Sequence, residues 1–498
     1  MATAAEPRTR AVPPGPPAGP VTGPAANPMT IALVLVLGSI MVTLDTTIVN
    51  VALHRLSQDF DASLSSIQWV ATGYSLALGA VIPSTAWAVG RFGARRLYLL
   101  AIALFAVGSV LAGLAWNLPS LIAFRIVQGI SGGMVMPVGM TILIRAAGPD
   151  RLGRLMSTLG LAILVGPLAG PVLGGYLIDE VSWRWMFFVN VPVGAAVVVL
   201  AARLFPRDGA PERRPLDVFG LLLLSPGLAA LIYGVTAGGE RGDFGSAGVL
   251  VPMLGGAALA AAFVVRALTA RNPLIDLGLF RDRAFAAAAG TLALFATGYF
   301  GTMILQPLYF QVVRGESATM AGLLGVPFAL ASGTAMQVTG RFIDKVGPGR
   351  IVVGGVLTAT AGFALFTLQL SADGPYWGLM GAMLLIGAGG GSTMMPAMTA
   401  ATQRLAAGQA AAGSTTVSMV NTTVSAIGMA VMSVLLAARL PGGSHAVRDL
   451  TPAERAARGP ELADAFQGTY VWAIALVALA LLPALALVRT TAKRKGDS

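Results

Sequence analysis

Long apolar stretches without charged side chains are the feature that most restricts the fold of this chain. A helix that crosses a bilayer needs roughly 20 mainly apolar residues. Fourteen blocks of this kind occur at about 30–52, 66–90, 97–116, 120–144, 155–177, 186–204, 217–237, 247–265, 285–312, 319–340, 351–370, 376–402, 411–438 and 468–488. No segment alternates with period two as the strands of a transmembrane barrel do. The sequence therefore predicts an all-α integral membrane protein with fourteen transmembrane helices.

Charged residues are too scarce for a soluble protein of this size. They make up 11% of the 498 residues, whereas a soluble domain carries about 25%. The chain has no cysteine and two histidines, His54 and His445, so we expect neither disulfides nor a metal site. The net charge of +11 comes from Lys and Arg spread over short loops. This distribution indicates membrane topology and argues against a nucleic-acid partner.

The Lys and Arg residues of the loops set the expected orientation. With both termini in the cytoplasm, the inner loops and tails hold 24 of the 33 basic residues and the outer loops hold eight. Residues 1–28 are rich in Pro, Ala and Gly and are expected to form a disordered cytoplasmic tail. We see no removable signal peptide, and we expect a multi-pass protein of the inner (cytoplasmic) membrane.

Two short motifs recur along the chain at nearly the same spacing. Gly93, after the second block, matches Gly347, after the tenth, at an offset of 254 residues. Pro137 matches Pro396 at an offset of 259 residues. Such a repeat predicts two six-helix halves with the substrate site between them near the membrane midplane.

The repeat also divides the chain into regions. The predicted regions are the tail 1–28, an N-terminal six-helix bundle 29–205, two inserted helices in 206–270, a C-terminal six-helix bundle 271–490 and a basic cytoplasmic tail 491–498.

Asp45 is the one acidic residue, of 22, that lies well inside an apolar block, and Arg125 is the basic residue comparably placed. A charge at a helix centre costs about 2.5–3.5 kcal/mol, so Asp45 should face the bundle interior. Helix geometry puts both side chains roughly 8–10 Å below the outer surface, where they can pair. Burial favours a neutral carboxyl and a neighbouring arginine a charged one, so Asp45 is a candidate proton carrier. Alternatively, Asp45 only orders Asn50, Thr46 and Thr47.

A dense run of glycine and proline stands in the fifth block. The segment GPLAGPVLGG contains Gly166, Pro167, Gly170, Pro171, Gly174 and Gly175. Small residues at this spacing let helix backbones approach closely, and prolines bend the helix. The segment resembles motif C, the antiporter signature of proton-coupled exporters of the major facilitator superfamily. The resemblance implies a tight seal between the two halves at their outer end.

Further segments resemble the fourteen-helix drug:proton antiporters of that superfamily over roughly residues 30–490. They are LDTTIVNVAL from Leu44, RIVQG from Arg125, WRWMFFVNVP from Trp183 and LYFQ from Leu308. The resemblance implies the major facilitator fold and proton coupling through Asp45 and Arg125. It also implies export of lipophilic, often cationic, drugs or antibiotics in exchange for protons by alternating access. We expect no cofactor besides protons, and a monomer in the lipid bilayer.

The loop after the second block resembles motif A but departs from it. No aspartate lies between Gly90 and Arg96, whereas the second copy keeps Asp344. The resemblance implies that the two loops act as gates, with the candidate residues Arg91, Gly93, Arg95, Asp344 and Gly347. Simple anchoring of the topology explains the arginines equally well.

The substrate cavity is predicted from polar residues in otherwise apolar helices. The candidates are Gln128, Gln306, Gln311 and Asn421. The favoured function is proton-coupled export, and the alternative is a proton-coupled transporter of a nutrient, amino acid or lipid. An intramembrane enzyme would need a buried nucleophile and base, and both histidines lie near the predicted outer surface, so the chain is not expected to be an enzyme.

Overall fold

The chain forms helices throughout the part that its structure, a computed structural model, describes. That part is residues 27–492 without 63, 68, 148–151, 160–165, 167–168, 171–172, 175, 179, 210–214, 242–243, 271–272, 276, 304, 317, 404, 406–408, 441–453 and 455–456. No strand occurs among these residues. The predicted tails, apart from their innermost residues, lie outside this part.

The helices follow the predicted blocks in three sets. The N-terminal group comprises α1 (Pro28–Asp59), α2 (Leu64–Ile67), α3 (Trp69–Val81), α4 (Thr85–Phe92), α5 (Ala94–Gly113), α6 (Leu118–Ala147), α7 (Leu152–Leu159), α8 (Trp185–Phe188) and α9 (Asn190–Leu204). The middle pair is α10 (Val218–Arg241) and α11 (Ala247–Thr269). The C-terminal group comprises α12 (Arg283–Gly301), α13 (Leu305–Val312), α14 (Ala318–Leu324), α15 (Val326–Val346), α16 (Pro348–Gln369), α17 (Tyr376–Thr402), α18 (Ala410–Ala437), α19 (Gly459–Leu479) and α20 (Leu481–Ala492).

Twelve spans in the described residues are long and apolar enough to cross a membrane. The predicted block 66–90 is not among them because α3 and α4 are separated by a 3-10 turn at Ile82–Ser84, where Pro83 lacks the N–H that a continuous helix needs. In the predicted block 155–177, 11 of the 23 residues are undescribed, and its longest continuous helical stretch belongs to α7. The total of fourteen therefore stays a prediction.

Side-chain caps account for two helix starts. The side chain of Asn27 accepts a hydrogen bond from the Met29 N–H at 3.1 Å at the start of α1. Asp282 accepts hydrogen bonds from the N–H groups of Ala284 and Phe285 at 2.7 and 2.9 Å at the start of α12. Each side chain satisfies backbone donors that have no partner within the helix.

Gly93 and Gly347, the glycines that the repeat matches, have the same backbone conformation. Each is the single residue between two helices, with φ of 88° and 89° respectively. Positive φ is readily adopted only by glycine. Each predicted gating loop therefore contains one glycine with a positive φ between two helices.

The middle helices α10 and α11 form a close pair. A Cβ added at Gly256 would lie 2.7 Å from the Gly227 carbonyl oxygen, so the two glycines let the backbones touch. Helix α10 also packs against α3 of the N-terminal group and α18 of the C-terminal group. Helix α11 is more exposed, with Val251 at 69% and Leu268 at 70%, as expected of a lipid-facing helix.

An ion pair closes one end of this pair. Arg266 Nε donates to Asp217 Oδ1 at 2.8 Å, and the Gly220 N–H donates to the same oxygen at 2.9 Å. Burial raises the pKa of Asp217, but the hydrogen bonds and the charge of Arg266 outweigh it and hold that pKa below its usual range.

Contacts between the N-terminal and C-terminal groups join α6 to α18 and α7 to α15. The hydroxyls of Thr141 and Ser414 are 2.8 Å apart. Gln337 Nε2 donates to the Ser157 carbonyl at 3.2 Å, and a Cβ at Gly340 would lie 2.1 Å from Ser157 Oγ. These contacts lie at the end of the bundle that the loop charges assign to the cytoplasm.

Candidate functional site

A buried ion pair joins α1 to α6. Arg125 Nη1 donates a hydrogen bond to Asp45 Oδ2 at 2.5 Å. Both residues are only 1% exposed. The sequence predicted that these two side chains could pair because each is a lone charge in an apolar block at similar depth, and the structure brings them into direct contact.

Two amide side chains hold the other carboxylate oxygen. Gln128 Nε2 donates to Asp45 Oδ1 at 3.0 Å, and Asn190 Nδ2 donates to the same atom at 2.9 Å. Both amides also donate to Ser109 Oγ, at 3.0 and 2.9 Å respectively. Ser109 in turn donates to the Phe187 carbonyl at 2.9 Å. Helices α1, α5, α6 and α9 thus meet in one closed polar network.

Arg125 has partners besides Asp45. Its Nη1 donates to Gln128 Oε1 at 2.6 Å, and its Nε donates to the Val70 carbonyl at 3.3 Å. The guanidinium carbon lies 4.1 Å from the centroid of the Tyr74 ring and 5.7 Å from that of Phe187. Stacking on aromatic faces stabilises a cation, and more so where water is excluded. The two rings therefore give the Arg125 guanidinium stabilising contacts in addition to its bond to Asp45.

Hydrogen bonds to the carboxylate support this buried ion pair. A buried ion pair is stable only when good geometry and further hydrogen bonds offset the cost of removing both charges from water. Here the carboxylate accepts three hydrogen bonds. These bonds offset part of that cost. No group of three His, Asp or Glu side chains that could hold a metal occurs among the described residues.

Three glycines of the GPLAGPVLGG segment lie against α1, on a different face of that helix from Asp45. Thr47 Oγ1 donates to the Gly166 carbonyl at 2.9 Å, and a Cβ at Gly170 would lie 2.0 Å from Thr47 Oγ1. Gly174 is beside Ile48, at 3.4 Å from the Cβ it would carry. These contacts lie within the N-terminal group, and the predicted seal between the halves stays a prediction. Pro167, Pro171 and Gly175 lie outside the described residues.

The gating-loop candidates show one unexpected partner. The Asp208 carboxylate accepts hydrogen bonds from the N–H groups of Arg95 and Arg96 at 2.9 and 3.0 Å, at the start of α5. Arg95 Nη2 donates to the Ala202 carbonyl, and Arg91 is exposed. An acid from the segment after α9 thus meets the loop in which no aspartate was found. Asp344 lies in α15, but its side chain is outside the described part.

A model of the family described as Major Facilitator Superfamily matches residues 35–458. The chain belongs to the major facilitator superfamily. The multidrug resistance protein B homolog of Mycobacterium tuberculosis is 40% identical over 487 residues, covering 93% of this chain and 90% of that protein. The tetracenomycin C resistance and export protein of Streptomyces glaucescens is 35% identical over 344 residues, covering 68% of this chain and 63% of that protein.

A solved member of the superfamily matches in fold. The crystal structure of the human organic anion transporter MFSD10 aligns with a TM-score of 0.63 and 15% identity. The alignment covers 92% of this chain and 99% of the MFSD10 chain. At this identity the match concerns the fold alone. The chain is thus a multi-span membrane transporter with the all-helical major facilitator fold.

One of the predicted cavity residues belongs to the Asp45 network, and the other three lie on α13 and α18. Gln128 is fully buried and belongs to the Asp45 network, because its amide can satisfy both Arg125 and Asp45. Gln306 and Gln311 are half-buried on α13. Asn421, on α18, has a buried Oδ1 that finds no hydrogen-bond partner among the described residues. A substrate cavity lined by Gln306, Gln311 and Asn421 stays a prediction.

Sequence reasoning missed Asn190, Ser109 and Asp208 as site residues. Asn190 lies in the WRWMFFVNVP segment that resembles the drug:proton antiporters, so its motif was visible although its partner was not. Ser109 is a lone hydroxyl in an apolar helix, a pattern more often explained by a bond to its own backbone. Asp208 had no signal, because nothing in the sequence connects it with a loop about 110 residues earlier.

Proposed function

We propose that this chain is a proton-coupled antiporter that exports lipophilic, often cationic, drugs or antibiotics by alternating access. The observation that carries the proposal is the buried Asp45–Arg125 pair, with 2.5 Å between Nη1 and Oδ2. Two relatives named for multidrug resistance and for tetracenomycin C resistance and export support the direction and the substrate class. The chain itself acts without a cofactor, with protons as the coupling ion.

In this mechanism Asp45 alternates between two charge states. As a carboxylate it holds Arg125 and ties α1 to α6. A proton that enters from the outer side neutralises it, breaks that tie and favours the opposite arrangement of the halves, from which the proton leaves to the cytoplasm. A ligand or proton shifts such an equilibrium only by its different affinity for the two states, and a buried acid with a breakable ion pair provides that difference.

The proposed setting is the inner (cytoplasmic) membrane with both termini in the cytoplasm and the chain as a monomer. The excess of Lys and Arg in the inner loops supports this orientation. Reporter fusions test it, because residue 240 should read as external and residue 275 as internal. A reporter at residue 240 that proved cytoplasmic would contradict the proposed orientation.

A sensitive host without its own exporters provides the test of function. The host should gain resistance to ethidium and other lipophilic cations or antibiotics when it expresses the wild-type chain, and lose it with Asp45→Asn, which removes the titrating group but keeps size and polarity. The matched control is Asp61→Asn, at an exposed acid outside the membrane spans. Undiminished proton-coupled export by Asp45→Asn would show that the acid is structural.

The runner-up is proton-coupled transport of a nutrient, amino acid or lipid. It would be favoured if the chain gave no resistance to any compound of the panel while vesicles accumulated an amino acid or lipid in a proton-dependent manner. The apolar surroundings of the Asp45 network and the resistance relatives favour export.

A further inference from the structure

We propose that Asn190 and Ser109 are positioning residues that direct the transported proton to Oδ2 of Asp45 and set the pH at which it binds. The inference rests on the proposed function, in which Asp45 carries the proton. It adds a specific atom for the proton and two residues whose effect on it can be measured.

Asn190 is placed for the network rather than for its own helix. It is the first residue of α9, yet the preceding residue Val189 is already helical and Asn190 does not cap the helix. Its amide is buried at 1% exposure, and a buried amide is costly unless it is hydrogen-bonded. Its Nδ2 donates to Asp45 Oδ1 and to Ser109 Oγ, both at 2.9 Å.

Ser109 fixes the direction of both amides. Its hydroxyl hydrogen points to the Phe187 carbonyl at 2.9 Å, so its oxygen is left to accept. It accepts from Asn190 Nδ2 and Gln128 Nε2. If either amide were rotated by 180°, its oxygen would face the Ser109 oxygen without a hydrogen between them. Both NH₂ groups must therefore face Ser109, and in this orientation each also donates to Asp45.

The two oxygens of Asp45 are therefore not equivalent. Oδ1 receives two N–H donors from neutral amides, and a proton there would have to displace one of them from a fixed position. Oδ2 receives Arg125 Nη1, which has other partners in Gln128 Oε1 and the Tyr74 ring. The proton accordingly binds Oδ2, forms the O–H bond there and releases Arg125, while Asn190 continues to hold Oδ1.

The amide donors also stabilise the charged carboxylate. Hydrogen bonds to the charged form of an acid favour that form. Among the described residues, the charged or titratable side chains that face Asp45 are Arg125 from α6 and Tyr74 from α3. Removing the Asn190 donor leaves both of these in place, so the pH at which Asp45 binds its proton should rise.

Infrared difference titration of the purified protein in lipid nanodiscs tests this without a substrate. The carboxyl C=O band that disappears in Asp45→Asn belongs to Asp45. In Asn190→Ala the midpoint of this band should move to higher pH by about one unit, and in Ser109→Ala in the same direction. The matched control is Ser75→Ala. Among the residues that the structure describes, the Ser75 hydroxyl donates only to the Ala71 carbonyl of its own helix, at 3.0 Å, so the Asp45 midpoint should not move in this variant.

The outcomes separate the two proposals. An Asp45 band whose midpoint is unchanged, or lower, in both Asn190→Ala and Ser109→Ala overturns the positioning role and leaves the proton carrier intact. If Asp45→Asn removes no titrating band, Asp45 carries no proton and the proposed function fails with it. Should Asn190→Ala not fold, the smaller change Ser109→Ala decides the matter, because a midpoint equal to that of Ser75→Ala contradicts the inference.

Discussion

Asp208 and Arg95 are 113 residues apart in the chain, and the Asp208 carboxylate accepts a hydrogen bond from the Arg95 N–H at 2.9 Å. The second carboxylate oxygen accepts from the Arg96 N–H at 3.0 Å. Gly93, which precedes α5, has no side chain to cap it, and a Cβ there would lie 2.2 Å from Asp208 Cγ. The glycine thus admits an acid from the segment between α9 and α10 to the start of α5, where negative charge is favourable.

Asp208→Ala should destabilise the protein by about 0.5–2 kcal/mol, because two backbone donors lose their cap. Asp208→Asn should lose less, since asparagine also caps helices. Thermal unfolding of the purified protein measures both. Asp373→Ala, at an exposed loop position, is the control and should be neutral. Equal stability of Asp208→Ala and Asp373→Ala would contradict the capping role.

Gly170→Leu should abolish transport while the protein still reaches the membrane. Even the first side-chain atom would lie 2.0 Å from Thr47 Oγ1 and 2.6 Å from Thr47 Cβ, so α1 would have to move away, and α1 carries Asp45. Gly354→Leu is the matched control, because a Cβ there meets nothing within 4 Å. Resistance assays with immunoblots of the membrane fraction measure the effect. Full activity of Gly170→Leu would mean that close approach to α1 is dispensable.

Removing one partner of the buried pair should cost more than removing both. Arg125→Leu leaves the Asp45 carboxylate without its cation, and breaking a buried pair in this way typically costs 3–5 kcal/mol. The double variant Asp45→Asn with Arg125→Leu should recover part of this loss. The exposed ion pair Arg55–Asp59, at 3.2 Å, is the control, and its coupling free energy should be less than about 1 kcal/mol. Thermal unfolding of both double-mutant cycles gives the coupling, and equal coupling in the two would contradict the prediction.

Acid should weaken the ion pair of the α10–α11 pair. The pKa of Asp217 lies below its usual range, so its stabilising contribution is full above about pH 5 and is lost as the pH falls below the unfolded value of about 3.9. The unfolding temperature of the wild type should therefore exceed that of Asp217→Asn at pH 6, and the gap should narrow toward pH 3.5. A gap that stays constant with pH would mean that the charge of Asp217 does not matter.

A disulfide introduced at the positions of Thr141 and Ser414 should block transport reversibly. Their hydroxyls are 2.8 Å apart, and the chain has no native cysteine, so the pair Thr141→Cys with Ser414→Cys can be cross-linked without background. Oxidation should stop transport by holding the two groups of helices together at the predicted cytoplasmic end, and reduction should restore it. Each single cysteine variant is the control. Continued transport by the cross-linked protein would mean that this contact does not open during the cycle.

The sequence by itself determined the helical membrane fold and the special status of Asp45 and Arg125. Apolar block length follows from bilayer thickness, and a charge inside such a block is costly enough to require a partner. Both rules act locally along the chain, so they can be read from it. The repeat also matched Gly93 with Gly347, which share a positive φ.

The tertiary structure decided which other residues join those charges. Gln128 and Asn190 bind Asp45, and Ser109 binds both amides, because α6 and α9 pack against both α1 and α5. The two amide residues are 83 and 145 residues from Asp45 in the chain, so this packing, and no local pattern, brings them together. Tertiary packing likewise places Gly166 and Gly170 against α1 and Asp208 at the start of α5. Hydrogen bonds are directional and short-ranged, so only a folded chain fixes their partners.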